Sequence, residues 1–337
     1  MFSHDPHLAV SADAFTPWVA AIPAEPGSIG WQAAVASLLE SAAFKPGNVH
    51  PAAGFDDLDH ADFVAAALAI AEPFAGVRPT SSAGRLGNLI LAAVEAAVAA
   101  TQSNANLGIV LALAPLAAAA MPLEHSVCKV LASLGPADAA AVWQAIALAH
   151  PGGLGRVEQH DVAGPPPDDI LAAMRMARDR DAIAWLWADG YEPLFRDDTS
   201  SPGMVPLLER ALASTATTNE AILQAFLQHL ACHRDSLIAR RHGDAVAAEV
   251  SGEAAAILSL PAAQQAAAIA AFDTTLRTGR LVDGRRRPIN PGTTADLTAA
   301  ALFVLLRRGW RLGPPSLANT PVPVVLLPSL QGPSHGS

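Results

Sequence analysis

The sequence predicts an all-α protein that folds as a single multi-helical globular domain. Hydrophobic residues make up 51% of the chain, but aromatic residues make up only 5%. The excess is mostly alanine, the strongest helix former, whereas the β-branched and aromatic residues that favour strands are scarce. Apolar residues also recur three and four positions apart, which places them on one face of a helix. We find no fixed internal repeat, so a solenoid is not expected.

Changes in composition predict the limits of this domain. Residues 1–28 are rich in Pro, Ala and Asp without sustained periodicity, so we expect an irregular lead-in and a fold that begins near Ile29. The all-helical domain is expected over residues 29–311. Residues 312–337 are rich in proline and are expected to be irregular.

Helices are predicted in order along the domain. The first runs from Gly30 to Ala43 and stops at Pro46-Gly47. The next is expected over residues 59–72, and Ser81 or Ser82 is a candidate N-cap for the third, which runs through Val98. Further helices are expected at about 107–120, 136–149, 168 onward, 181–189, 203–213, 219–229, 244–258 and 261–276, with a Gly/Pro-rich loop over 150–167 and a basic turn at 240–243.

The last helix has the clearest predicted start. Asn290 is a favourable N-cap and Pro291 suits the first helical position. The apolar positions Leu297, Leu302 and Leu306 then form its buried face.

Charge and cysteine content exclude several classes of protein. A formal net charge of −10 disfavours a nucleic-acid-binding protein. Cys128 and Cys232 are the only cysteines and form no Cys-x-x-Cys motif, so we expect neither a disulfide framework nor a cysteine zinc site. The N-terminus lacks a secretory signal, and the longest apolar run, Leu107 to Met121, is too short to cross a membrane. We therefore expect a soluble cytoplasmic protein in which this run is a buried core helix.

The segment Lys45-Pro-Gly-Asn-Val-His50 places a cation, an amide and an imidazole in a short loop after the first helix. Lys45, Asn48 and His50 could together hold a polyphosphate. Taken alone, the loop is explained better as a helix stop with solvated polar side chains than as a polyphosphate site.

Four carboxylates follow at Asp56, Asp57, Asp59 and Asp62. Mg²⁺ is commonly held by one or two carboxylates together with substrate phosphates, and Asp57 is our candidate ligand. Helix-start chemistry alone could explain Asp59 and Asp62, because acidic residues are favoured in a first turn.

The segment Gly84-Arg85-Leu86-Gly87 precedes a helix, where backbone N–H groups favour anions and Arg85 could add a phosphate contact. Within that helix Glu95 lies among apolar residues. If the helix is buried, this carboxylate should be functional or paired in a salt bridge.

Other polar residues flank predicted helices. Asn104 and Asn106 precede the apolar helix, although capping needs only one amide. The cluster that contains Arg240 and His242 could bind a second phosphate or simply cover a helix end. The last helix could direct its N-terminus, with Asn290 and Asp296, into a site.

Taken together, these segments resemble the triphosphoribosyl-dephospho-CoA synthase family over about residues 29–311. The joint pattern is far more specific than any single motif. The matching segments are Glu40 with Lys45-Pro-Gly-Asn-Val-His50, Asp57-Leu58, Gly84 to Glu95, Asn104-Ala-Asn-Leu-Gly108, Gly152-Gly-Leu-Gly155 with Asp161, Arg240-Arg-His-Gly243, and Asn290-Pro-Gly-Thr-Thr-Ala-Asp296.

The resemblance implies an all-α transferase that binds ATP and 3′-dephospho-CoA, with Mg²⁺ accompanying the ATP. The ribose 2′-hydroxyl of the acceptor attacks C1′ of the ATP ribose, adenine leaves, and the triphosphate stays on the transferred sugar. A homodimer is compatible with this assignment, whereas nucleic-acid and membrane partners are not expected.

Roles for the side chains follow as hypotheses from the chemistry of this reaction. Glu40, Asp57 or Glu95 would act in catalysis, with Glu40 or Glu95 as the base or cation stabiliser. Asp57 would hold Mg²⁺. The residues expected to bind substrate are Lys45, Asn48, His50, Arg85, Asn104, Asn106, Arg240, His242, Asn290 and Asp296.

One departure from the family pattern bears on the acceptor. Many members read Asn-Thr-His-Lys-Gly where this chain has Asn104-Ala-Asn106-Leu107-Gly108. The chain therefore resembles a divergent branch, similar to archaeal and methylotroph members, whose acceptor could be another nucleotide or a pterin-type precursor. A nucleotide-binding helical protein without turnover is the remaining alternative.

Overall fold

The computed structural model describes residues 17–55, 58–79, 85–101, 103, 105–149, 166–282 and 285–311. Within them the fold is all-α, as the composition predicts. The helices are α1 (Ile29–Ala42), α2 (His60–Ala69), α3 (Ala71–Ala75), α4 (Leu86–Thr101), α5 (Leu107–Ala118), α6 (Leu123–Ala132), α7 (Pro136–Ala149), α8 (Ile170–Ala177), α9 (Ala182–Ala188), α10 (Glu192–Phe195), α11 (Met204–Ser214), α12 (Thr218–Cys232), α13 (Ser236–His242), α14 (Asp244–Ser259), α15 (Ala262–Thr278) and α16 (Gly292–Arg307).

A small antiparallel hairpin interrupts the helices before α16. Strands β1 (Arg280–Val282) and β2 (Arg285–Arg287) pair with Arg280 opposite Arg287. This hairpin could not be predicted from the sequence, because strands of three residues, one of them all arginine, are too short to show an alternating apolar pattern.

Two clusters of buried apolar side chains form the core. The larger includes α1, α4, α5 and most of α16, with Leu38, Ile90 and Phe303 fully buried. The smaller joins α12 to α15 around Phe226 and Leu276. Helices α12 and α16 contribute side chains to both clusters and so connect them.

Helix α5 is a buried core helix, as expected. Pro115 lies inside it and has no N–H to bond the carbonyl of Leu111, four residues earlier. Trp187 Nε1 donates to that carbonyl at 3.0 Å, and Tyr191 Oη donates to the carbonyl of Ala112 at 2.8 Å. Side chains of the α9–α10 segment therefore satisfy backbone groups at the proline.

No single helix in the described ranges is both long and apolar enough to cross a membrane. Helices α6 and α7 reach the length and apolar composition of a membrane span only when the two are taken together. These two helices are bent by 100° relative to each other.

Several predicted boundaries are wrong at helix ends. Asn290 does not cap the last helix: α16 begins at Gly292, and Pro291 occupies the N-cap position without a side-chain hydrogen bond. Asn106 occupies the N-cap position of α5 but likewise makes no capping bond. The predicted basic turn at 240–243 is instead the last turn of α13, which Asp235 caps through the N–H groups of Leu237 and Ile238.

Other differences concern the start of the fold and a missed helix. Ile22 is buried in the larger cluster, so folding begins before Ile29. The helix expected over 59–72 is divided into α2 and α3 at Ile70, and α6 was not predicted. The caps at Ser81 and Ser82, the loop over 150–165 and the tail over 312–337 lie outside the described residues.

Candidate functional site

Lys45 and Glu40 form a buried ion pair at the C-terminal end of α1. Their side chains are 0% and 5% exposed, and Lys45 Nζ lies 3.1 Å from Glu40 Oε1. The same ammonium donates to the carbonyl of Ala43 at 2.9 Å and to the backbone carbonyl of Glu40. Lys45 therefore caps the free carbonyls of the helix end. In this geometry its charge points into the protein, towards Glu40 and the end of α1.

Burial dominates the electrostatics of this pair. It raises the pKa of Glu40 and lowers the pKa of Lys45, while the attraction between the two groups opposes both changes. Breaking the pair would leave one uncompensated buried charge. We conclude that both predicted site residues hold the loop in place.

Helix α15 anchors the Lys45–His50 loop from the opposite side. Gly47 N donates to Asp273 Oδ1 at 2.8 Å, and Arg277 Nε donates to Asp273 Oδ2 at 2.8 Å. Arg277 also donates to the backbone carbonyl of Asn48. Gly47 has φ +75°, and a Cβ atom there would lie 2.8 Å from the carbonyl of Ile289. The turn therefore requires glycine.

Sequence reasoning missed Asp273 and Arg277. The available signal was their i,i+4 spacing on a predicted helix, but that spacing more often marks a surface ion pair. Nothing in the local sequence links them to a loop more than 220 residues away.

Two predicted site residues meet in this loop. Asn48 Nδ2 donates to Asn290 Oδ1 at 2.5 Å and so joins the loop to the start of α16. Asn48 is 4% exposed, and its own Oδ1 has no hydrogen-bond partner. A buried, unpaired amide oxygen is costly unless a ligand or water satisfies it.

Two histidines lie close to the same loop. Burial and the nearby positive charge of Arg277 lower the pKa of His50 to about 4. Burial and the charge of Lys45 lower the pKa of His60 to about 4 as well. His60 Nε2 is buried without a partner. Both rings are thus neutral near pH 7, and His60 was not among the predicted site residues.

A second polar cluster lies where helices α9, α13 and α16 begin. Asp235 Oδ2 accepts from Thr294 N at 2.7 Å and from its hydroxyl at 2.8 Å, which ties α13 to α16. Asp181 caps α9 through Ala184 N and forms an ion pair with Arg240. Arg240 therefore has a carboxylate partner, although its Nε is buried without one.

Asp296 occupies a recess beside this cluster. Its side chain is partly accessible to solvent, but protein surrounds it closely. It forms no hydrogen bond or ion pair with a described residue. Burial raises the pKa of Asp296 well above its ordinary value, and the charges of Glu40, Asp235 and Asp181 raise it further.

Gly108 provides the space for this carboxylate. A Cβ atom at position 108 would lie 2.1 Å from Asp296 Oδ2, so any other residue would collide with it. Gly108 belongs to the first turn of α5, whose N-cap residue Asn106 has φ 71°. Both polar atoms of the Asn106 side chain are buried without a partner among the described residues. Asp296 of α16 and Gly108 of α5 are thus in close contact between the two central helices.

The remaining predicted residues are elsewhere or undescribed. His242 Nε2 lies 3.1 Å from the carbonyl of Pro288, at the edge of the second cluster. Glu95 is on the exposed face of α4 and makes no polar contact with a described residue, so the premise that it is buried is wrong. Arg85 is also exposed. Asp57 and Asn104 lie outside the described residues.

Comparisons with known proteins agree with this architecture. A model of the family of ATP:dephospho-CoA triphosphoribosyl transferases matches residues 26–313. A crystal structure from Archaeoglobus fulgidus, provisionally described as a triphosphoribosyl-dephospho-CoA synthase, aligns with a TM-score of 0.54 and 21% identity. The alignment covers 74% of this chain and 100% of that chain. At this identity the likeness shows the fold alone. A search of curated protein sequences finds no match.

Proposed function

This chain belongs to the ATP:dephospho-CoA triphosphoribosyl transferase family, and we propose that its reaction takes place in the recess around Asp296. The ribose 2′-hydroxyl of 3′-dephospho-CoA attacks C1′ of ATP. The C1′–N9 bond to adenine breaks and a C1′–O bond forms. The hydroxyl proton passes to a base, and adenine gains a proton as it leaves.

Asp296 is our candidate for the base. The observation that carries this assignment is a carboxylate that is accessible, closely surrounded by protein and without a partner among the described residues. A base works best when its pKa is near the working pH, and the pKa of Asp296 is raised in that direction. Glu40 does not suit this role because Lys45 engages it, and Glu95 does not because it is exposed.

The surroundings of Asp296 also suit the charge that develops on the sugar. Glycosyl transfer passes through an oxocarbenium-like transition state with positive charge near C1′. Glu40, Asp235 and Asp181 raise the pKa of Asp296 and Arg240 lowers it, so the carboxylates around Asp296 outnumber the cations that act on it. Fixed negative charge close to C1′ would stabilise that transition state.

Unpaired amides offer hydrogen bonds for the substrates. Asn48 Oδ1 and both polar atoms of Asn106 are buried and have no hydrogen-bond partner among the described residues. We propose that they orient sugar hydroxyls and that Asn290 holds Asn48 for this purpose. The neutral ring of His50 would assist, while Arg240 and His242 would contact phosphate oxygens.

The proposal includes Mg²⁺ bound together with the triphosphate. No group of three or more His, Cys, Asp or Glu side chains in the described part of the chain could hold a metal ion. This fits Mg²⁺, which commonly uses one or two protein carboxylates together with substrate phosphates. Asp57 would supply the protein ligand. When bound, the ion would neutralise part of the triphosphate charge.

We also propose a cytoplasmic location and a homodimer. Cys128 and Cys232 are exposed free thiols, which suits a reducing compartment. Light scattering after size-exclusion chromatography would test the dimer.

The test of the reaction is product analysis. Purified protein is incubated with ATP, Mg²⁺ and 3′-dephospho-CoA, free adenine is measured by chromatography, and the coupled product by mass spectrometry. We expect equal amounts of adenine and triphosphoribosylated product. Measurable ATP binding without adenine release would contradict the proposal.

One observation favours a second candidate acceptor. Asn106 and Leu107 stand where the family pattern carries His and Lys, and the Asn106 amide has no hydrogen-bond partner among the described residues. A different acceptor, such as another nucleotide or a pterin-type precursor, could satisfy this amide. Adenine release with such an acceptor, but not with 3′-dephospho-CoA, would favour this candidate. A non-catalytic nucleotide-binding protein would release no adenine with any acceptor.

A further inference from the structure

Three exposed arginines lie together on the β1–β2 hairpin and the adjoining end of α13. Arg280 and Arg287 are opposite each other on the hairpin, and Arg241 is on the last turn of α13. The contact between His242 Nε2 and the carbonyl of Pro288, at 3.1 Å, joins the two segments. We call Arg241, Arg280 and Arg287 the arginine rim. Arg286 lies on the other face of the strand, and its guanidinium donates to the carbonyl of Gly279.

The rim concentrates positive charge in an acidic protein. Arg280 is directly opposite Arg287 in the hairpin, an arrangement of like charges that destabilises strand pairing. Glu249 forms an ion pair with Arg280 at the surface. The pKa of His242 is lowered by burial and also by Arg241, Arg287 and Arg280, which shows that these charges act at one place. The chain as a whole carries a net charge of −10.

The rim lies beside the recess of the proposed reaction. His242 is two residues after Arg240, whose charge acts on Asp296. On the hairpin side of the rim, β2 is followed by Pro288, Ile289 and then Asn290, which forms a hydrogen bond with Asn48. A molecule that reaches from the recess across Pro288 would therefore meet the rim.

We infer that the arginine rim binds the polyphosphate of a substrate whose sugar occupies the recess. Arginine suits this ligand because its guanidinium donates paired hydrogen bonds to phosphate oxygens. The inference deepens the proposed function and depends on it for the position of the sugar. Binding of a polyphosphate by the rim can be measured without any turnover.

The first test is calorimetric titration of the full chain with inorganic tripolyphosphate. Arg280→Gln/Arg287→Gln is compared with Arg175→Gln/Arg210→Gln, which removes two exposed arginines from α8 and α11. We expect the rim variant to bind at least about tenfold more weakly and the control to bind like wild type. Arg280→Lys/Arg287→Lys keeps the charge but loses the paired hydrogen bonds, so its affinity should fall between those of wild type and the Gln variant. Added salt should weaken wild-type binding.

The second test identifies the source of the polyphosphate. A raised KM for ATP in the Gln rim variant would identify the triphosphate of ATP as the ligand. A raised KM for 3′-dephospho-CoA would identify the acceptor's diphosphate. The inference is overturned if wild type does not bind tripolyphosphate, or if the rim and control variants lose affinity equally. If the wild-type protein binds tripolyphosphate but shows no turnover, that result would instead count against the proposed reaction.

Discussion

At the scale of single residues, the chemistry of a side chain is decided by its partners. Lys45 and Asp296 are both charged groups in a closely packed interior, yet Lys45 has three acceptors and Asp296 has no described partner. We therefore assign Lys45 to the structure and Asp296 to the reaction. The sequence alone placed both residues among the substrate-binding groups, because it shows residue type and not direction.

Gly108→Ala tests the position of Asp296 without touching its chemistry. The added Cβ would lie 2.1 Å from Asp296 Oδ2 and must displace the carboxylate. Since misplacement by about 1 Å can cost about 10²-fold in rate, we expect kcat to fall by about that factor with little change in ATP affinity. The matched control is Gly252→Ala on α14, where nothing lies within 4 Å. Equal kcat values for the two variants would contradict the placement of Asp296.

Lys45→Met tests whether Lys45 is structural. Removing the ammonium leaves Glu40 buried without its partner, which should cost about 3–5 kcal/mol in the free energy of unfolding. Lys45→Met/Glu40→Gln should cost less than the sum of the single changes, as measured by urea denaturation. Unchanged stability with a raised KM for ATP would support the original phosphate-binding hypothesis for Lys45.

At the scale of elements, the sequence predicted most helices but not how they meet. The apolar spacing located α1, α5, α7, α14 and α15 to within a few residues. Helix ends were less predictable because capping depends on distant partners: the acid that ties α13 to α16, Asp235, lies 59 residues from Thr294. Within the candidate site, the segments that contain the loop at 45–50 and Asp296 were predicted from the sequence, but their contacts were not. Asp273, Arg277 and the hairpin emerge only from tertiary packing.

The proline in α5 explains a bond between elements. Pro115 leaves the carbonyl of Leu111 without an intrahelical donor, and Trp187 Nε1 donates to that carbonyl at 3.0 Å. Trp187→Phe removes this donor and should lower the free energy of unfolding by at least about 1–3 kcal/mol. In a Pro115→Ala background the new N–H can bond Leu111, so the same change should cost less. Identical costs in both backgrounds, measured by chemical denaturation, would refute this coupling.

At the scale of the whole molecule, two apolar clusters connected by α12 and α16 hold both halves of the candidate site. The Asn48–Asn290 bond and the Asp296–Gly108 contact both reach α16 or the segment that leads into it. Any event that loosens this helix should affect binding and catalysis together.

Acid should destabilise the whole fold through two buried histidines. The pKa values of His50 and His60 are about 4 in the folded protein and about 6.5 in the unfolded chain. Between those values the unfolded chain binds protons that the folded chain does not, so the free energy of unfolding falls as pH falls from 6.5 towards 4 and is fully retained above 6.5. Urea midpoints across this range should show the decline, and His50→Gln/His60→Gln should make it shallower, while His229, His233 and His242, whose pKa values are also lowered, maintain the remainder. An equally steep decline in that variant would exclude these groups as its cause.

The most direct measurement is the rate of adenine release by Asp296→Asn, with ATP and 3′-dephospho-CoA saturating. The amide keeps the shape of the side chain but cannot accept the hydroxyl proton. We expect release to fall by about 10²–10⁴-fold, with tripolyphosphate binding and thermal stability close to those of wild type. Wild-type rates of adenine release in Asp296→Asn would contradict the assignment of this carboxylate as the base.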